Sequence, residues 1–178
     1  YTTNDEAFAA QVKMYNEWWA DNIPYIDIPD ENVKKVIYYR WWCNRFNLLE
    51  ANIPGNDWQF PMNMEGVLGY NNGITVSVPW AMQDLKWLRD PSYVYGTWMA
   101  QGEYSGDDNY KNNPGRPNTW TWDMMQNTSQ VGWEAYKIHG GGEEILQKFA
   151  DYSKYDVLGT LNRFGGSGKY ENLIIYNH

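Results

Sequence analysis

Apolar residues recur along this chain with a helical period. Phe8, Val12, Tyr15 and Trp19 stand at i, i+4, i+7 and i+11, which aligns them on one helix face. A first helix is expected over residues 5–21, capped by Thr3 or Asn4 and ended by Pro24. Asp30 caps a second, over residues 31–51, apolar nearly all round from Val36 to Cys43, as in a helix buried on most sides. On it Arg40, Asn44 and Asn47 share a face at i, i+4 and i+7. Buried polar groups without partners cost about 1–3 kcal/mol each, so this stripe must meet either protein groups or a ligand in a wet cavity.

Residues 52–75 read as loop. Ser77 caps a short helix to residue 89 with Pro79 in its first turn, and Asp90-Pro91 opens another to residue 101, the cap-then-proline signature. A polar loop over residues 102–118 holds Ser105-Gly106-Asp107-Asp108-Asn109 and Pro114-Gly115-Arg116-Pro117; structureless loops longer than about 12–15 residues are usually functional or mobile. Ser129 caps a fifth helix through His139, which Gly140-Gly141-Gly142 ends. Residues 143–164 form the last long helix, with Ile145, Phe149 and Tyr152 on one face, and glycines after Phe164 break the chain before Leu173-Ile174-Ile175-Tyr176. The expectation is an all-α fold of six helices, alternately short and long, in the rhythm of stacked helical hairpins. It has no strict short repeat of the solenoid kind.

Composition narrows the function. The 178 residues suffice for one domain with a core. A net charge of −8 argues against nucleic acid, which needs a basic footprint. Eleven Trp and fifteen Tyr are many for this length, and they hold mean hydropathy at −0.72 although 43% of residues are hydrophobic. Such rings, apolar with a polar tip, suit a core and also binding clefts. Cys43 is the single cysteine, so no internal disulfide forms and no cysteine metal site is expected. Two His without a paired spacing argue against a transition-metal site. Asp107-Asp108-Asn109 lacks the spacing of a calcium loop, and Gly140 to Gly142 follows a helix instead of opening one as a phosphate cradle does. No run of about 18 apolar residues suggests a membrane span. The chain begins at Tyr1 without a signal peptide and reads as an excerpt of a longer polypeptide.

Chemistry concentrates in Asn56-Asp57-Trp58-Gln59-Phe60-Pro61-Met62-Asn63-Met64-Glu65-Gly66, flanked by Tyr38-Tyr39-Arg40-Trp41-Trp42 and Tyr70-Asn71-Asn72. Rings that cover C–H faces, amides that read hydroxyls and a pair of acids suit a sugar and the cleavage of a glycosidic bond. Glu65 is the first choice for the acid, since proton donation needs a carboxyl kept neutral, as an aromatic, partly dry cleft favours. The competing role is a loop organiser bonded to backbone N–H groups. Asp57 is either its partner acid, a hydroxyl acceptor or a turn former after Gly55-Asn56. Arg40 either holds a carboxylate such as Glu65 or Asp57, binds hydroxyls, or makes a structural ion pair. Trp41 and Trp42 point about 100° apart on a helix, so one is core; Trp58, on the loop, is the better stacking platform. Asn56, Gln59, Tyr70, Asn71 and Asn72 are candidate hydroxyl readers, with Asn71-Asn72 first of all a turn. Trp80, Gln83, Asp84 and Trp87 fall at i, i+3, i+4 and i+7 and form either a cleft wall or a packed helix edge. Trp133 joins the candidate subsite, and so does His139, whose plainer role is a cation at a helix C-terminus.

Several blocks together resemble the six-hairpin, or (α/α)6-barrel, glycoside hydrolases, and among them bacterial β-L-arabinobiosidase-like enzymes. The resemblance rests on Ile23-Pro24-Tyr25-Ile26-Asp27-Ile28-Pro29-Asp30-Glu31, Tyr38-Tyr39-Arg40-Trp41-Trp42 and Ala51-Asn52-Ile53-Pro54-Gly55-Asn56-Asp57. It extends through Glu65-Gly66-Val67-Leu68-Gly69-Tyr70-Asn71-Asn72 and Tyr136-Lys137-Ile138-His139-Gly140-Gly141. It implies that this chain is about half of a toroid of twelve helices, a fragment of one catalytic domain. It implies acids on loops at one mouth of the barrel, with Glu65 at a position that looks catalytic and further acids beyond His178. The chemistry it implies uses carboxylates and water, with no cofactor and no metal. The partners expected are a carbohydrate, arabinose-containing oligosaccharides among them, and the remainder of the chain's own polypeptide, with no nucleic acid and no membrane. A secreted, periplasmic or cell-surface location follows from such substrates. The alternative is a helical module that grips glycan without chemistry.

Overall fold

The computed structural model describes residues 3–51, 60–65, 73, 77–104, 128–164, 166 and 168–170. These residues are mostly helical. They form α1 (Asn4–Asn22), α2 (Glu31–Phe46), α3 (Val78–Leu85), α4 (Ser92–Tyr104), α5 (Thr128–His139) and α6 (Gly142–Phe164). A short antiparallel ladder joins β1 (Leu48–Leu49) to β2 (Met62–Asn63), with Leu48 opposite Asn63 and Leu49 opposite Met62. Among the described residues no helix is long and apolar enough to cross a membrane.

Local chemistry sets most helix ends where the sequence puts them. Thr3 Oγ1 accepts from the Glu6 amide and Glu6 Oε2 accepts from the Thr3 amide, each at 3.2 Å, a reciprocal box that satisfies two otherwise orphaned donors. Asp30 accepts from the amides of Asn32 and Val33 at the head of α2. Asp90 accepts from the Ser92 amide at 2.8 Å and starts α4. Gly140, at φ +72°, follows α5 in the left-handed conformation a helix stop favours.

Three ends differ. α2 stops at Phe46 instead of continuing to residue 51, because the Asn47 carbonyl accepts from the Met64 amide at 2.9 Å and the chain turns into the ladder with β2. α3 stops at Leu85, short of residue 89. α5 begins at Thr128, so Ser129 lies inside the helix and is not its cap.

α4 is the centre of the molecule. Every residue from Tyr93 to Gln101 is buried, and the helix packs on β2, α3, α5 and α6. Trp98, fully buried, meets Tyr152 edge-on with centroids 5.3 Å apart. Gly132 on α5 lets it lie close: a Cβ there would sit 2.8 Å from the Trp98 ring. The all-round burial expected of α2 therefore belongs to α4. On α2, Trp41 is core, whereas Val36, Tyr39 and Trp42 are exposed. The stripe expected on α1 is also only half covered: Tyr15 and Trp19 are half-buried, while Phe8 and Val12 face outward.

Candidate functional site

The segment leading to Glu65 is fixed from two sides. The Asn63 amide donates to Thr97 Oγ1 on α4 at 3.0 Å, and Asn63 Nδ2 donates to the Asn44 carbonyl on α2 at 3.1 Å. Met62 is fully buried. Pro61 lies so close to α4 that a Cβ at Gly96 would collide with its carbonyl oxygen. Glu65 leaves this anchored stretch half-buried, and its Oε2 accepts the Ser77 hydroxyl at 2.6 Å. Ser77 precedes α3 but makes no capping bond to it. Its hydroxyl spans from the helix head to the carboxylate instead, and Pro79 leaves that first turn with one fewer amide to satisfy. Among the described residues Oε1 of Glu65 accepts no hydrogen bond.

The polar stripe of α2 meets protein groups. Arg40 Nε donates to Asp84 Oδ1 and Arg40 Nη2 to Asp84 Oδ2, both at 3.0 Å. Asn44 Nδ2 adds a bond to Asp84 Oδ2 at 3.1 Å, and Trp41 Nε1 donates to the Asp84 carbonyl at 3.1 Å. Asn47 Nδ2 closes on the Cys43 carbonyl at 2.9 Å. Three side chains of α2 thus converge on one residue of α3. Of the roles open to Arg40, the ion pair is realised with Asp84, and not with Glu65.

Beside this pair a cleft of about 420 Å³ opens between the α1–α2 connection, α2 and the end of α3. Pro24, Ile26, Ile37 and Trp41 wall it, and Arg40, Asp84 and Trp87 complete the lining. Glu65 is not part of it. Asp84 lies seven residues beyond Ser77, so the two positions are about 10 Å apart along α3 at the helical rise.

Gln83 faces the other way. The Lys86 ammonium, buried against Trp87, donates to Gln83 Oε1 and to Glu134 Oε2 on α5, the latter at 2.6 Å. The hydrogen bond from Lys86 holds the Glu134 carboxyl below its ordinary range. His139 Nε2 lies 2.8 Å from the Lys86 carbonyl; a carbonyl only accepts, so that nitrogen carries a proton. The Tyr95 ring packs edge-on against His139, and its phenol, pushed up by burial, donates to the Gly140 carbonyl. His139 is therefore a strut between α5 and the end of α3.

Of the remaining candidates, Trp80 is 67% exposed at the start of α3. Trp42 stacks between Tyr39 and Phe46 on the outer face of α2. Trp133 stacks on Tyr136, centroids 5.5 Å apart, and leans on Phe149 of α6. None of the three lines the cleft. Asn56, Asp57, Trp58, Gln59, Tyr70, Asn71 and Asn72 lie outside the described residues. Lys86 and Glu134 sit on different elements with no shared spacing, so no sequence pattern marks them. Ser before Val-Pro carries the signal of a helix cap and no other, so the bond from Ser77 to Glu65 is visible only in the fold. No protein-family model matches the chain.

Proposed function

We propose that this chain is part of the catalytic domain of a glycoside hydrolase built on stacked helical hairpins, with Glu65 as one of its carboxylates. The observation that carries the reading is the Ser77–Glu65 hydrogen bond at 2.6 Å. It fixes one oxygen of a half-buried acid two residues beyond β2, beside sequence rich in Trp, Tyr, Asn and Gln. General acid catalysis of glycosidic cleavage needs a carboxyl in a defined direction, partly withdrawn from water, with aromatic and amide groups near it. The sequence blocks resembling (α/α)6 hydrolases supply the substrate class and the ring of twelve helices to which these six would contribute half. Asp57 is the nearest sequence candidate for a second acid or a hydroxyl acceptor.

The competing role, a non-catalytic glycan-binding module, shares every feature except a use for the Glu65 proton. Incubating the intact polypeptide with arabinose-containing oligosaccharides and following new reducing ends separates the two. Release of reducing sugar supports the hydrolase; saturable binding without release leaves the binding module.

A further inference from the structure

The cleft between the α1–α2 connection, α2 and the end of α3 is built for a different chemistry from that of Glu65. Its volume, about 420 Å³, falls in the range of small-molecule sites, roughly 300–1,000 Å³. Prolyl, isoleucyl and indole surface makes up most of its walls, and Trp87, 54% exposed, offers a ring at its edge. A sugar ring buried here would have more hydroxyls than Arg40 and Asp84 can satisfy, which opposes binding.

The polar handle is a donor without net charge. Three donors occupy the two carboxylate oxygens of Asp84: Arg40 Nε, Arg40 Nη2 and Asn44 Nδ2. Asp84 in turn neutralises the guanidinium. Arg40 is half exposed, and its Nη1 has no partner among the described residues. An incoming anion would meet the Asp84 carboxylate as well as the guanidinium, so a neutral oxygen is the better acceptor for that spare donor.

We propose that this cleft binds a flat, neutral aromatic ring carrying an oxygen acceptor, its face on the apolar walls and Trp87 and its oxygen toward Arg40. An aromatic group attached to a sugar has this chemistry. The site does not depend on Glu65 being catalytic.

The test is calorimetric titration of the intact polypeptide with coumarin, a neutral flat bicycle with a lactone carbonyl, alongside benzoate and methyl α-L-arabinofuranoside. Coumarin is expected to bind and the other two to bind more weakly or not at all. Trp87→Ala, at an exposed position, is expected to weaken coumarin about fivefold to tenfold, the worth of an aromatic contact. Ile37→Trp, which fills the cleft, is expected to abolish binding, and Glu65→Gln to leave it unchanged. The proposal is overturned by absence of coumarin binding up to its solubility, or by coumarin affinity within about twofold of wild type in both Trp87→Ala and Ile37→Trp. Tighter binding of benzoate or of the arabinoside overturns it equally. Should Ile37→Trp fail to fold, Trp87→Ala alone decides.

Discussion

Ser77 gives its hydroxyl to Glu65 Oε2 at 2.6 Å while leaving the helix it precedes without a side-chain cap. An N-cap serine contributes about 0.5–2 kcal/mol when it caps. Here that contribution is absent, and the hydroxyl instead fixes the direction of a half-buried acid. Such an exchange of helix stability for side-chain orientation is what the catalytic role proposed for Glu65 would use.

Ser77→Ala therefore separates orientation from stability. With no cap to lose, α3 keeps its helicity, and stability falls only by the worth of an ordinary hydrogen bond, about 0.5–1.5 kcal/mol. In the intact polypeptide kcat falls, since the hydrogen bond that aims the carboxyl is gone, while KM moves less. Ser77→Thr restores most of the rate. Steady-state kinetics beside thermal melts check this; a large loss of stability with unchanged kcat would make the serine merely structural.

Gly96→Ala tests how firmly the Glu65 segment is anchored. The added methyl collides with the Pro61 carbonyl, a backbone atom that moves only if the strand moves. Overpacking of this kind costs about 1–3 kcal/mol. The urea midpoint is expected to fall accordingly, with activity falling beyond what the unfolded fraction explains.

The Arg40–Asp84 pair locks α2 to α3. Arg40 is 51% exposed and Asp84 20%, so water screens the attraction, and a double-mutant cycle of Arg40→Met with Asp84→Asn is expected to give a coupling of about 0.5–1.5 kcal/mol. Asp84→Ala alone costs more, about 1–3 kcal/mol, because buried Asn44 also loses an acceptor. Chemical denaturation of the four proteins measures both.

Much of this arrangement was legible beforehand. The i, i+4, i+7 run of Arg40, Asn44 and Asn47 announced that α2 needed polar partners. Thr3, Asp30 and Asp90 marked helix starts because capping is local chemistry. What could not be read is tertiary. The pull of Met64 on the Asn47 carbonyl, which shortens α2, joins residues 17 apart, and no local signal encodes it. Which helix is central was also hidden: α2 and α4 are both rich in Trp and Tyr, and only packing against β2, α3, α5 and α6 decides for α4. Asp84 as the partner of Arg40 required knowing that α3 lies across α2.

The Lys86–Glu134 contact makes stability depend on pH in a defined direction. Lys86 holds Glu134 below its ordinary value of 4.5 in the folded protein. A carboxyl whose value is depressed by folding stabilises above the unfolded value and loses that contribution as pH falls through the folded one. At pH 7, Glu134→Gln is expected to melt lower than wild type. The gap should close as pH drops below 4.5 and the wild-type carboxyl takes up its proton. Thermal melts of both proteins from pH 7 to acid check the sign; a gap that widens on acidification would contradict it.

The most direct test of the account is the rate of Glu65→Gln. The exchange keeps shape and an acceptor for Ser77 while removing the transferable proton, so the intact polypeptide carrying it should still bind arabinose-containing oligosaccharides. Its kcat on them should fall by about 10²–10⁴, the usual worth of a general acid or base. A kcat within about threefold of wild type, on a substrate the wild-type protein hydrolyses, would remove Glu65 from the chemistry and the proposed function with it.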